Sequence, residues 1–375
     1  MKKIATLLFI VFGAVGAFSQ EINFPKERLE YFRLVNRAEL AICSGSYGNA
    51  ISFYDSAMHC VKNPDYRDLY NLAICQKNSG NSKVADSLFV LLLSKGYGTA
   101  YIGQCVDTIT HPISKAKQIE VMGKNLDEVV NGISEEDQRA NRARATNMEA
   151  YAQVVVANAK TIMSLSHEVD NLFQLDVGGK LYFPILHFFQ FKAYSERVKS
   201  DSVFRNHWYA FQFLAKCDFN TIGFTDFMKE QVANGNYDRY RFADLLAYGG
   251  IDYGVPVRQF NSYIVVASPE LVCKDELQSI NRARRSCGLE SYEDFFIKVR
   301  FADSLLTDGK PFSSIPLDKY PEMMDDYHSQ CNFKLADYYR KMYDYRELDD
   351  AKKAYEKALE SLCARKDSIE SSSLK

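Results

Sequence analysis

Two aspartates and two histidines in the middle of this chain have the types and spacing that best suit acid–base chemistry. Asp244 and Asp252 flank the run Leu245–Gly250, whose two final glycines favour a loop that could bring both carboxyl groups to one pocket. Carboxyl groups held in dissimilar environments act as general acid and general base. With His187 or His207 they would form a hydrolase-like site, which is the enzymatic interpretation of this sequence.

Each of these residues also has a structural interpretation. Asp244 suits the surface or an ion pair, and Asp252 suits a turn. His187 lies in an apolar run, where a hydrogen-bonded core histidine is the simpler interpretation. His207 stands beside Trp208 near the start of a predicted helix, where a cap or a packing role is simpler.

The sequence predicts no metal site and no cofactor. The six histidines never fall four residues apart, the spacing at which two histidines on one helix bind zinc. Gly249 and Gly250 lack the flanking glycines and lysine of a phosphate-binding loop, and no G-x-S-x-G nucleophile elbow occurs.

Two arginine clusters follow acidic residues and are typical of solvated helix faces, although they could also dock an acidic partner or a glycan sulfate. They are Arg139, Arg142 and Arg144, and Arg282, Arg284 and Arg285. A group of tyrosines interleaved with arginines suits either the core or an aromatic surface for a sugar or peptide. Its members are Tyr237, Tyr240, Tyr248 and Tyr253 with Arg239 and Arg241.

The elements that must position these residues are helices, and the clearest lie near the N-terminus, where a pattern recurs after 35 residues. The pattern is a glycine followed by small and aromatic residues at helical spacing: Gly45, Tyr47, Ala50, Ile51, Tyr54 and Ala57, then Gly80, Ala85 and Phe89. Such a recurrence marks stacked helix pairs. Two hairpins are predicted between Glu27 and Gly96, with alanines where helix backbones approach closely.

The run Gly45–Met58 resembles the second half of a tetratricopeptide repeat, and the second set is similar to the next copy, with Ser82 and Leu92 departing from the family pattern. The resemblance implies a protein or peptide partner, because stacked helix pairs usually bind one on their concave face. The first helix of each pair would supply Asn36, Arg37, Asn71 and Gln76 to that groove. Stacks need about three units, and no third set follows near Lys115.

A helical hairpin is also predicted near the C-terminus, over residues 322–365. Its last helix has one apolar face, formed by Ala351, Ala354, Tyr355, Ala358, Leu359 and Leu362. Leu335, Tyr339 and Met342 would supply its partner helix. This segment is either a third repeat-like pair or a plain amphipathic helix, and residues 366–375 form a flexible tail.

The middle of the chain, residues 125–305, is predicted to be a separate helical domain, followed by a linker over 306–321 that is rich in glycine and proline. Ser134 with Asp137 has capping-box spacing and predicts the start of a long helix. Its apolar stripe continues from Met148 to Met163. The stretch Tyr182–Phe191 is so apolar that periodicity alone does not separate a helix from a buried strand.

This middle segment resembles an uncharacterised family of bacterial domains that has no assigned activity. The similar stretches are Glu135–Gln138, Phe242–Asp244 with Tyr253-Gly254, and Asn281–Leu289. Leu245 and Asp252 stand where the family pattern has an arginine and a glutamine. If those polar residues form a site in the family, this copy has lost it.

The N-terminus predicts export. Lys2 and Lys3 precede the apolar stretch Ile4–Val15, and Ala17 and Ser19 supply the small residues of a signal-peptide cleavage site before Gln20. Residues 1–19 are therefore predicted to be a signal peptide, which places the mature chain in the periplasm or outside the cell. Nine cysteines without regular spacing favour buried thiols or at least one disulfide.

Composition excludes two classes of partner. The formal charge of −2 predicts no attraction to nucleic acid or to anionic lipid. No later run reaches the roughly 18 apolar residues of a membrane helix.

The sequence as a whole predicts an all-α protein, with tetratricopeptide-like hairpins over 20–110 and a helical middle domain. Its leading functional interpretation is an exported, non-enzymatic scaffold that binds a protein or peptide. The hydrolase-like site is the alternative.

Overall fold

Helices account for most of the residues that the computed structural model describes, namely 22–97, 102, 118–144, 146–202, 213–214, 216, 219–247, 257–260, 263–266 and 274–307. The protein is all-α, as its sequence predicts. The helices are α1 (Lys26–Cys43), α2 (Tyr47–Met58), α3 (Tyr66–Asn78), α4 (Ser82–Lys95), α5 (Leu126–Arg142), α6 (Met148–Glu168), α7 (Tyr182–Ser200), α8 (Phe224–Ala233), α9 (Arg239–Ala247), α10 (Lys274–Ser286) and α11 (Tyr292–Thr307).

Two short antiparallel hairpins, which the sequence does not predict, accompany the helices. They pair β1 (Glu120–Val121) with β2 (Lys124–Asn125), and β3 (Val257–Phe260) with β4 (Tyr263–Val266). Two 3₁₀ turns, Leu172–Gln174 and Asp176–Leu181, connect α6 to α7.

The four predicted N-terminal helices are present, and the predicted glycines end the first helix of each pair. Gly45 has φ +72° and Gly80 has φ +84°, a conformation that glycine adopts without strain. Ala50, Ala57 and Ala85 are fully buried, at 0% exposure. The small side chains therefore lie where α2 meets α1 and where α4 meets α3.

The predicted start of the middle helix at Ser134 is wrong. The helix begins eight residues earlier, because Asn125 Oδ1 accepts a hydrogen bond from the Glu128 N–H (2.9 Å) and caps α5. The predicted single helix is also two helices, since Asn147 Oδ1 accepts from the Ala150 N–H (2.9 Å) and begins α6.

An aromatic cluster around α7 holds the middle segment together, and the ambiguous stretch Tyr182–Phe191 is helical. Phe188 meets Phe224 of α8 edge to face, with ring centres 4.8 Å apart. Phe189 meets Phe242 of α9 in the same way at 5.8 Å. These ring contacts hold α8 and α9 against α7. Arg239 lies on α9, one helical turn before Phe242.

Several predicted segments lie outside the described residues: the signal peptide, the linker beyond Thr307, the C-terminal hairpin and the tail. Of the nine cysteines, Cys43, Cys60, Cys75 and Cys287 are described, and no disulfide joins these four. Within the described part of the chain, no helix combines the length and apolar character of a membrane span.

Candidate functional site

Of the four residues predicted to line a partner-binding groove, two are buried and a third is hydrogen-bonded within the chain. Asn71 and Gln76 are buried, at 0% and 8% exposure, so neither side chain reaches a partner from outside. Asn36 Nδ2 donates to Asp294 Oδ2 of α11 (2.7 Å). Arg37 is exposed, and its guanidinium lies 4.1 Å from the centre of the Phe53 ring.

The inner face of α1 and α3 is covered by other parts of the chain. Helix α11 packs against α1, and every residue of α3 from Tyr66 to Gln76 is buried. The face that would bind a partner in an open stack of helix pairs is therefore occupied by the middle segment.

His187, one of the residues of the predicted hydrolase-like site, is a hydrogen-bonded core histidine, which is the simpler of its two predicted roles. It is 7% exposed, and its Nδ1 is 2.7 Å from Oδ2 of the fully buried Asp137. A carboxylate only accepts, so we assign the shared proton to Nδ1. The side chain of Asp244, and the whole of Asp252 and His207, lie outside the described residues. The hydrolase-like set is therefore not assembled in the described part of the chain.

A set of buried and half-buried charged side chains lies between the helix pairs and the middle segment, and we call it the junction network. It joins α1, α3 and the loop before α3 to the stretch from Asp238 to Lys298. Five cations and five carboxyl groups compose it: Arg28, Arg67, Arg239, Arg284 and Lys298, with Glu39, Asp65, Asp68, Asp238 and Glu290.

Lys298 is the most deeply buried member, at 0% exposure. Its Nζ contacts Glu39 Oε2 of α1 and lies 3.2 Å from Glu290 Oε1. Burial acts to lower the pKa of Lys298, but the carboxylates of Glu290 and Glu39 outweigh it and hold that pKa above its usual range. Lys298 is therefore charged, and it links α11 to α1.

Glu290 also contacts other members of the junction network near Lys298. Its Oε2 accepts from the Tyr240 hydroxyl (2.6 Å), and the Arg284 guanidinium lies 3.6 Å from its Oε1. Burial acts to raise the pKa of Glu290, but Lys298 and Arg284 hold that pKa well below its usual range.

A tyrosine and two aspartates anchor the other end of the junction network. The Tyr31 hydroxyl donates to Asp68 Oδ2 (2.5 Å) and accepts from the Asp65 N–H (2.9 Å). Arg28 lies 3.5 Å from Asp65, and its Nη2 donates to the carbonyl oxygen of Asn234 (2.8 Å). This end fastens α1 and the loop before α3 to the turn after α8.

Asp238 connects the two ends. Its Oδ2 lies 3.0 Å from Arg67 Nη1 of α3, and its Oδ1 accepts from the Tyr240 N–H (2.7 Å) and the Arg241 N–H (3.0 Å), so it also caps α9. Within the described residues each carboxyl group of the junction network has a cation within 4.0 Å. Such an arrangement suits a structural connection, because each carboxyl group is paired with a cation from another part of the network.

We expect the stability of the protein to fall as pH rises from about 4 to about 7. Burial and the neighbouring Asp68 raise the pKa of Asp65 to about 7. The folded state therefore binds more protons than the unfolded chain in this window, and the unfolding free energy decreases as Asp65 ionises. Asp65→Asn should flatten this slope in urea unfolding at pH 4.5 and 7.5.

The exposed Asp55 supplies the matched control, since Asp55→Asn should leave the slope unchanged. Glu290 and Asp238, whose pKa values are lowered, act in the opposite direction, at pH values below the window. A slope in Asp65→Asn equal to that of the unmodified protein would contradict this assignment.

The sequence interpretation of the charged clusters is correct in part. Arg139, Arg142 and Arg144 are exposed, as predicted. Arg284 is instead 2% exposed, and its Nε donates to the Glu290 carbonyl oxygen (2.8 Å). Tyr237 and Tyr240 are core residues.

A row of apolar side chains lies on the surface of α4. We call it the α4 ridge and define it as Val84, Leu88 and Leu91. They fall at i, i+4 and i+7 on one side of the helix. Val84 is 48% exposed and Leu91 41% exposed, and Leu88 is half-buried between the two helix pairs. The nearby Val90 is 46% exposed.

Comparison with protein-family models, with curated proteins and with solved structures finds no match to this chain. Functional inference therefore depends on the geometry above. Among the described residues, no cluster of histidine, cysteine, aspartate or glutamate is arranged to hold a metal ion.

Proposed function

We propose that this protein is an exported, non-enzymatic binding protein whose tetratricopeptide-like helix pairs hold an amphipathic helix of a partner protein against the α4 ridge. The observation that carries the proposal is the ridge itself. The inner face of α1 and α3 is filled by the middle segment, so a partner must use the outer side of the helix pairs.

The spacing of the ridge favours a helical partner. From Val84 to Leu91 it extends about 10 Å, two helical turns, and apolar residues at this spacing are what an amphipathic helix packs against. Lys83 and Lys95 lie at its two ends. We therefore expect a partner helix with apolar residues on one face and acidic residues at its ends.

Two features of the sequence support the rest of the proposal. The basic residues at 2 and 3, the apolar stretch after them and the small residues before Gln20 support export. The resemblance of the run Gly45–Met58 to a tetratricopeptide repeat supports a binding role, because helix pairs of that family act as binding scaffolds.

Site-specific photo-crosslinking from position 84 or 91 in living cells tests the proposal. We expect a crosslink to one partner protein, at a segment with amphipathic helical spacing. A synthetic peptide of that segment should bind the purified protein, and Val84→Asp with Leu91→Asp should weaken binding at least roughly tenfold, since each buried aliphatic side chain contributes about 1.5–3 kcal/mol.

Ser87→Asp with Ser94→Asp is the matched control, because both serines are exposed on the adjoining side of α4. This variant should retain full affinity. Crosslinks only to a second copy of the chain, or only to its own residues 351–362, would overturn the proposal, as would equal peptide binding by both variants.

A further inference from the structure

Arg239 lies at the start of α9 and is enclosed by aromatic rings. Its guanidinium carbon is 4.0 Å from the centre of the Phe32 ring and 5.2 Å from the centre of the Tyr240 ring. Arg28 also lies over the Phe32 ring, at 5.9 Å, and Arg67 lies over the Tyr240 ring, at 5.2 Å. Three arginines therefore share two rings, and Arg239 is the middle one.

Arg239 differs from the other cations of the junction network in its lack of a carboxylate. The four others each have a carboxyl oxygen within 4.0 Å. Among the described residues no carboxyl oxygen comes that close to Arg239, and its Nε and Nη1 are buried without a hydrogen-bond partner. The residue as a whole is 4% exposed.

The rings do not satisfy this guanidinium. Cation–π attraction acts through the faces of the group, whereas its N–H donors point outward in the guanidinium plane. Burial acts to lower the pKa of Arg239, but Tyr240 and the more distant carboxylates of Glu290 and Glu39 hold that pKa above its usual range. The group is therefore charged, and buried charged donors without an acceptor are rare in native structures. The arrangement is therefore incomplete without an acceptor beside Arg239.

The charge balance of the junction network favours an anionic acceptor. Five cations and five carboxyl groups would cancel if every group were ionised. Burial and the neighbouring Asp68, however, raise the pKa of Asp65 to about 7. Near neutral pH the network thus carries less negative than positive charge.

We propose that Arg239 is an oxyanion-binding residue, whose unpartnered Nε and Nη1 donors receive the carboxylate or phosphate group of a ligand. The guanidinium suits either oxyanion, because both accept charge-assisted hydrogen bonds in its plane. The ligand would lie between the helix pairs and the middle segment, away from the partner helix on α4. This site is independent of the proposed function.

The test measures thermal unfolding of the full chain in dilute Tris buffer, with added sodium phosphate, sodium acetate or sodium chloride at equal ionic strength. We expect phosphate or acetate to raise the midpoint and chloride to leave it unchanged, since a ligand that binds only the folded state stabilises it. A response to phosphate alone assigns the site to phosphate groups, and a response to acetate assigns it to carboxylates. Arg239→Met should lower the affinity for the anion that raises the midpoint at least roughly tenfold.

The same variant separates a binding role from a structural one. Without added oxyanion, Arg239→Met should be at least as stable as the unmodified protein, because it removes two buried donors that have no acceptor and puts an apolar side chain of similar length in their place. Arg282→Met, at an exposed position of α10, is the control and should change neither measurement. An Arg239→Met protein that is less stable in dilute buffer, or fails to fold, overturns the proposal. So does an oxyanion response that the variant retains, or no response in the unmodified protein.

Discussion

Lys298→Met should lower the free energy of unfolding by about 3–5 kcal/mol, because removing one partner of a buried ion pair leaves the other charge uncompensated. Here the loss is shared by two carboxylates, Glu39 of α1 and Glu290, which both contact the same ammonium group. Methionine matches the length of lysine, so lost charge rather than lost volume accounts for the effect. Urea unfolding of the two proteins measures the difference.

Lys180→Met is the matched control. Lys180 is also paired with a carboxylate, Asp127 at 2.8 Å, but its side chain is 43% exposed. Exposed pairs contribute at most about 1 kcal/mol. If both lysine variants lose the same small amount, Lys298 is not the buried link that we describe.

Phe224→Ala should have a comparable effect, about 3–5 kcal/mol, through loss of packing in the middle segment. Phe224 is fully buried, and its ring contacts Phe188 and stacks on Phe227 at 5.8 Å. Alanine would leave a cavity among rings that hold α8 on α7, and the surrounding helices fill such a space only in part. Chemical denaturation followed by circular dichroism measures the loss.

Phe183→Ala provides the comparison within α7, because that ring is 51% exposed. Its replacement should change stability by about 0.5 kcal/mol or less. An equal effect of the two substitutions would mean that the cluster around Phe224 is not the core of the middle segment.

The helices of this protein follow largely from local patterns in its sequence. The glycines at 45 and 80 and the alanines at 50, 57 and 85 act within a few residues of their own position, so spacing alone predicts them. The start of α5 differs from the sequence prediction, because Ser134 and Asp137 satisfy a local capping rule without making the cap. Asn125 makes the cap, and the Asp137 carboxylate is instead bonded to a histidine 50 residues away.

The junction network could not be predicted in the same way. Its ion pairs join residues 171 and 259 positions apart, Arg67 with Asp238 and Glu39 with Lys298. No local rule selects such partners. The sequence nevertheless contains one signal, because Glu39 and Lys298 each occupy a core position of their helix, where an apolar residue is expected. Glu39 lies between Val35 and Ile42 on the apolar face of α1. A lone charge in an apolar stripe indicates a buried partner.

Hydrogen exchange of the Lys298→Met protein tests most directly whether the inner face of the helix pairs is held by the middle segment of the same chain. If it is, amides of α1 should lose protection together with those of α11, because the substitution breaks the contact between Glu39 of α1 and Lys298 of α11. Faster exchange confined to α11, with α1 and α3 protected as before, would show that the helix pairs fold without the middle segment and would contradict this account.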